Sequence, residues 1–150
     1  MDIGLIGFGG VGQALIKLLI DKESYLLQQY NLKINVKYII KSNGGIYNAS
    51  GINLSEILKV IDENINITCH NEWKDNLNIN DIIGNNDIDT LVELTSTNIE
   101  TGEPGLTHIR KSLENNINVV TGNKGPILLD YKKLKVLADN NNVELKVGCT

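Results

Sequence analysis

At 150 residues, with 41% hydrophobic and 21% charged residues, the chain has the length of one domain and enough apolar content to bury a core. Its 18 acidic residues outnumber 14 basic ones, giving a net charge of −4, so it lacks the basic surface that sequence-independent nucleic-acid binding requires. No run reaches the roughly 20 apolar residues that cross a bilayer, and the opening MDIGLIGFGG has neither the basic start nor the cleavage site of a secretory leader. A cytoplasmic protein without nucleic-acid or membrane partners is expected. Asparagine is frequent, at 21 residues; apolar residues are spread evenly between them, so the excess reads as compositional drift rather than disorder.

In chain order, Asp2 to Ile6 is a short apolar strand that ends in the turn Gly7-Phe8-Gly9-Gly10-Val11-Gly12. Val11, Leu15, Leu18 and Leu19 then recur at helical spacing as far as about Gln29. Lys33 to Lys41 is rich in β-branched residues and completes a strand, helix, strand unit with a parallel crossover. Residues 42–53 read as a Gly- and Asn-rich loop, and a helix follows from Leu54 to Asp62 with Asn53 placed to cap it. Ile65 to Cys69 suggests a short edge strand and Ile79 to Ile83 a helical turn. Asp89 to Thr95 is a strand, Gly105 to Asn115 a helix, and Asn118 to Thr121 a strand; Gly122 to Gly125 is a loop, Pro126 to Asp139 a helix and Val143 to Val147 a final strand. Trp73 is expected to pack near the sheet edge.

Strands that alternate with amphipathic helices predict an α/β domain of the Rossmann type, a doubly wound parallel sheet covered on both faces. With Ile65 to Cys69 as third strand, the six strands take the order 3-2-1-4-5-6, and ligands gather at the carboxyl ends where that order reverses.

Gly7, Gly9 and Gly12 match G-x-G-x-x-G between a strand and a helix. In that setting the first glycine permits the tight turn, the second lets a pyrophosphate approach the backbone, and the third lets helix and strand pack closely. A dinucleotide cofactor, NAD or NADP, follows. At the end of the second strand, where NAD-specific sites place a carboxylate, the chain has Lys41-Ser42-Asn43. A carboxylate repels a 2′-phosphate, whereas Lys41 and the Ser42 hydroxyl can hold one, so NADP is the preferred cofactor. Lys124, in Thr121-Gly122-Asn123-Lys124-Gly125-Pro126, lies at a strand's carboxyl end, where a lysine can orient a carbonyl or stabilise developing negative charge.

His70 and His108 have no accompanying carboxylate or serine pattern and read as structural or solvated. Lys132, Lys133 and Lys135 read as a solvated helix face. Cys69 and Cys149 lie in strand-like apolar segments and read as two reduced, structural thiols without metal-ligand spacing.

The glycine turn, VELTSTN at 92–98, TGEPGLTHIRKSLE at 101–114 and VVTGNKGPI at 119–127 together resemble the nucleotide-binding domain of homoserine dehydrogenases, over nearly the whole chain. The TGNKGP segment, usually with alanine in place of Gly122, is far more specific than the glycine fingerprint. The resemblance implies NAD(P)-dependent interconversion of L-homoserine and L-aspartate 4-semialdehyde, in the aspartate-derived route to threonine, methionine and isoleucine. It also implies that the whole enzyme is a homo-oligomer. Gly9, Gly10, Val11 and Gly12 carry over as diphosphate-loop positions, Thr95 and Ser96 as contacts near the nicotinamide, and Lys124 as the active-site lysine close to the cofactor.

Two departures matter. In the family, the substrate-binding carboxylates and the proton-relaying lysine follow the last sheet strand, so the chain is expected to stop before its substrate domain and to be inactive alone. A glutamate that helps to bind a structural sodium ion aligns best with Gly148, so no metal ligand is assigned. Two other readings compete: an NAD(P)-sensing domain without chemistry, and a related amino-acid or semialdehyde dehydrogenase. Lys124 favours an enzyme, because a sensor needs no lysine at the site of hydride transfer.

Overall fold

The computed structural model describes residues 1–148. Its strands are β1 (Asp2–Ile6), β2 (Asn35–Lys41), β3 (Gly44–Tyr47), β4 (Trp73–Asp75), β5 (Thr90–Glu93), β6 (Asn118–Thr121) and β7 (Leu145–Val147). Its helices are α1 (Gly10–Tyr30), α2 (Leu54–Asp62), α3 (Ile79–Asn85), α4 (Gly105–Glu114) and α5 (Lys124–Asn140). The strands form one sheet in the order β4-β3-β2-β1-β5-β6-β7. The neighbours from β2 through β1, β5 and β6 to β7 pair in parallel, as the expected doubly wound architecture requires. The order reverses between β1 and β5, so a crevice opens beyond their carboxyl ends.

The edge of the sheet differs from expectation. Ile65 to Cys69 is not a strand: the Asn66 side chain accepts from the Thr68 N–H and turns Ile67–Cys69 into a 3-10 helix, on which Cys69 is exposed rather than buried. The other cysteine lies outside the described residues. The edge is built instead by β3 and β4, both antiparallel, and β3 falls within the segment read as a loop. Ser42 and Asn43 close a two-residue hairpin, with Lys41 opposite Gly44. The glycines that suggested a loop let three strands approach: a Cβ on Gly45 would stand 2.5 Å from the Ile39 carbonyl oxygen, and one on Gly44 would overlap the Lys74 carbonyl. Trp73, as expected, lies at this edge.

The strand period of two sorts β1 into two cores. Ile3 and Leu5 join Val36, Ile39 and Ile46 under α1 and α2, through Ile16 and Ile57. Ile6 joins Ile40, Leu91 and Val119 under α3, α4 and α5, through Ile82, Ile109, Leu113 and Leu134. Each fully buried aliphatic side chain contributes roughly 2 kcal/mol. On α1 the buried stripe is Gly12 and Ile16, flanked by Leu15, Leu19 and Ile20, whereas Val11 and Leu18 face outward. Leu15 and Leu19 thus pack as the spacing predicts, while Val11 and Leu18 do not, because Gly12, lacking a side chain, is the residue that touches the sheet. Helix α5 starts two residues before its expected Pro126, with Asn123 accepting from the Gly125 N–H as its cap.

Asparagine's abundance has a structural basis beyond drift. Among the described residues, the non-glycine ones with positive φ are Asn31, Asn64, Asn76, Asn86, Asn116 and Asn142, and asparagine tolerates that region better than other side-chain-bearing residues. Asn31 and Asn86 end α1 and α3 there, while Asn53, Asn78 and Asn123 cap helix starts.

At the amino ends of the parallel strands, Asp87 accepts from the Tyr38 hydroxyl at 2.9 Å and from the Tyr47 hydroxyl at 3.1 Å. Lys37 lies 3.0 Å from Asp2 and donates to the Asp87 carbonyl at 2.8 Å. Burial pushes the Tyr38 phenol up and keeps it neutral, so it acts as a donor here. Asp87→Ala strands both phenols and is expected to cost about 2 kcal/mol in urea denaturation, with cofactor affinity unchanged because the cluster lies away from the crevice.

Candidate functional site

The turn after β1 is forced on glycine. Gly7 has φ +105°, and a Cβ there would overlap the Leu94 carbonyl that follows β5; a Cβ on Gly12 would overlap the Gly7 carbonyl oxygen. Gly9 and Gly10 differ, because a Cβ on either meets nothing within 4 Å. Their missing side chains therefore leave open space rather than relieve a clash within the chain. Gly9 caps α1 without a side-chain hydrogen bond, and the first turn of α1 holds no acidic residue. Its leading N–H groups and positive dipole end thus face the open space, a combination that binds phosphate.

The crevice beside this turn encloses about 790 Å³, within the range of small-molecule and cofactor sites. Gly7, Phe8 and Gly9 line it from the first turn, Lys41 and Ser42 from the end of β2, and Thr95 and Ser96 from the segment after β5. Phe8 is 5% exposed and anchors the turn in the core as well. Lys41 also borders a second hollow of about 320 Å³, together with Phe8, Gln13, Asn64 and Asn66. Gly10, Val11 and Gly12 form the first turn of α1 rather than the crevice lining, with Val11 67% exposed. Lys124 is not among the lining residues either; it is the exposed first residue of α5. Its neighbour Asn123 reaches the crevice by donating from Nδ2 to the Thr95 hydroxyl at 3.1 Å.

Several site residues escaped sequence reasoning. The segment Asn76–Ile79 forms one wall, tied to the β2–β3 turn by the Asn76 N–H donating to the Asn43 carbonyl at 3.1 Å. Glu93, the last residue of β5, is completely buried. Its Oε1 accepts from the Thr95 N–H at 3.0 Å and from the Thr95 hydroxyl, and its Oε2 from the Thr121 hydroxyl at 3.0 Å. His108 does have a carboxylate partner after all: its Nδ1 lies 3.7 Å from Glu93 Oε1, within ion-pair reach but too far for a hydrogen bond. His108 also lines the crevice. His70 similarly has Glu56, 3.5 Å away. Burial by itself would raise the Glu93 carboxyl; His108, the Thr95 hydroxyl and N–H, and the Thr121 hydroxyl outweigh it and hold the group below its ordinary 4.5. The signal available in the sequence was the charge itself, a glutamate inside the apolar run Leu91-Val92-Glu93-Leu94.

Residues 7–147 match the family model described as the NAD-binding domain of homoserine dehydrogenase. Among curated relatives, a homoserine dehydrogenase of Methanocaldococcus jannaschii is 38% identical over 89% of this chain and 40% of its own length. An NAD(+)-dependent homoserine dehydrogenase of Pseudomonas canavaninivorans is 30% identical over 94% of the chain and 40% of its own length. Among solved structures, a hyperthermophilic archaeal homoserine dehydrogenase in complex with NADPH superposes with TM-score 0.79 at 25% identity, covering 97% of this chain and 43% of that one. The chain thus spans about 40% of the length of the curated relatives it matches.

Proposed function

The chain belongs to the homoserine dehydrogenase NAD-binding domain family, and from that premise we propose that it holds the dinucleotide for interconversion of L-homoserine and L-aspartate 4-semialdehyde. The observation that carries this reading is the conjunction at the crevice: an uncapped, acid-free helix start, open space beside Gly9 and Gly10, and hydroxyl-bearing Thr95 and Ser96 on the facing wall. These residues fit a dinucleotide. Gly9, Gly10, Val11 and Gly12 would hold the diphosphate through the start of α1, and Thr95 and Ser96 the nicotinamide half. Bound there, NAD(P)(H) supplies the hydride exchanged with the substrate carbon. Lys124 would orient the substrate oxygen beside it and stabilise charge on that oxygen. The remaining work of the domain is to position the ring and keep water out.

Lys41 and Ser42 would take the adenosine end, and no carboxylate stands with them where β2 ends. NADPH is therefore expected to bind this chain at least about tenfold more tightly than NADH, one charge-assisted hydrogen bond being worth about that factor. Lys41→Ala is expected to remove the difference by weakening NADPH alone. Fluorescence titration of both cofactors checks this, and equal affinities in the native chain would contradict it.

The chain spans about 40% of the length of its curated relatives, and it alone is expected to bind cofactor without turnover. Among the described residues no helix is long and apolar enough to cross a membrane. A cytoplasmic location and a homo-oligomeric whole enzyme complete the reading.

A further inference from the structure

The hydrogen-bond directions around Glu93 can be assigned from the backbone outward. The Gly125 N–H is a donor only, and it points at Asn123 Oδ1 from 3.1 Å. That fixes the Asn123 amide, so Nδ2 donates to the Thr95 hydroxyl oxygen at 3.1 Å. Having accepted there, the Thr95 hydroxyl sends its proton to Glu93 Oε1. On the other side the Asn123 N–H donates to the Thr121 hydroxyl oxygen at 3.0 Å, which turns the Thr121 proton toward Glu93, where the backbone carbonyl at 3.2 Å and Oε2 at 3.0 Å both accept. The Thr95 N–H also ends on Oε1. Both Thr95 donors therefore end on one oxygen, Oε1, which suits an ionised carboxylate, an acceptor at every lone pair. Its ordinary acidity is strengthened by the same contacts. Gly105 leaves the space for this arrangement, since a Cβ there would stand 2.5 Å from Asn123 Nδ2 and 3.2 Å from Glu93 Oε2.

Thr95 lines the crevice, yet both of its donors, the N–H and the O–H, are taken by Glu93. We propose that Glu93 is a positioning residue for the cofactor: by consuming both Thr95 donors it presents Thr95 to the crevice as a hydrogen-bond acceptor only, so the cofactor group seated there is a donor. Two donors of the cofactor fit, the carboxamide N–H of the nicotinamide and a hydroxyl of its ribose. This deepens the NAD(P)-binding reading and rests on it.

The test is a set of binding titrations on the full chain, with no turnover involved. The ligands are NADP, its 3-acetylpyridine analogue, which lacks the carboxamide N–H, and its analogue lacking the 2′-hydroxyl or 3′-hydroxyl of the nicotinamide ribose. One analogue is expected to bind about tenfold more weakly than NADP, the worth of one hydrogen bond, and which one does so identifies the donor. In Glu93→Gln the new amide can donate to Thr95 and free its hydroxyl to turn, so the discrimination should fall to within about twofold, while adenosine 2′,5′-bisphosphate, which reports the other half of the crevice, binds as before. Thr95→Ser should keep the discrimination and Thr95→Val lose it; this pair decides the matter if Glu93→Gln fails to fold. Native protein that binds all the analogues as well as NADP, or discrimination that survives in Thr95→Val, overturns the positioning role while leaving the NAD(P)-binding reading intact. A native chain that binds no NADP overturns both.

Discussion

Gly9→Ala is expected to abolish tight cofactor binding and leave the fold almost untouched, whereas Gly12→Ala is expected to unfold much of what Gly9→Ala spares. At Gly9 the backbone sits at φ −86° and ψ −161°, extended geometry that alanine adopts freely, and its Cβ would meet nothing within 4 Å. The cost to the fold is under about 1 kcal/mol, the difference between glycine and alanine as a helix cap. The added methyl instead fills the space in which a diphosphate must approach the start of α1. NADPH affinity should fall about 100-fold, which is about 2.7 kcal/mol. At Gly12 the Cβ would overlap the Gly7 carbonyl oxygen. Relief requires α1 to separate from β1, at a cost of about 3 kcal/mol for overpacking against fixed backbone. Urea denaturation and NADPH titration of both variants check the pair. A Gly9→Ala protein that binds NADPH normally would show that the open space is not the phosphate site.

Glu93→Gln is expected to lower stability by about 3 kcal/mol at pH 7, and the deficit should shrink in acid. The neutral variant sets a buried amide against the donors that converge on the carboxylate, and mismatching them carries the penalty of buried unsatisfied polar groups. The sign of the pH dependence follows from Glu93 being held below its ordinary 4.5. A carboxyl whose folded value is depressed contributes stability that is fully present above its unfolded value, here about 4.5, and is lost as pH falls through the folded value. The other titratable side chain facing it is His108 on α4, whose Nδ1 lies 3.7 Å from Glu93 Oε1. The native chain should therefore lose stability below pH 4.5 more steeply than Glu93→Gln does. Urea midpoints measured from pH 7 downward test this, and a gap of constant size through acid would show that Glu93 is not ionised in the fold.

How much of this was legible in the sequence depended on whether the cause was local. The spans of β1 and α2 were readable to the residue, because an apolar run closed by Gly7 and an amphipathic stretch capped by Asn53 declare themselves within a few positions. The glycine turn and the site segments at Lys41-Ser42 and Thr95-Ser96 were legible as motifs, and the fold brings them to one crevice. The edge strands were not, since Gly44 and Gly45 look like loop residues until β2 and β4 are seen to press against them. The role of Glu93 was equally hidden: Thr121 lies 28 residues away in the chain, and His108 reaches it from a different helix. Lys124 was singled out for its place after β6, but its position as first residue of α5, outside the crevice lining, depends on the cap that Asn123 supplies and on tertiary packing.

Calorimetric titration of NADPH into this chain tests directly whether the crevice beside Gly9 holds the dinucleotide. Saturable one-to-one binding is expected, tighter than that of NADH and weakened by Gly9→Ala. A folded chain that takes up neither cofactor would contradict it.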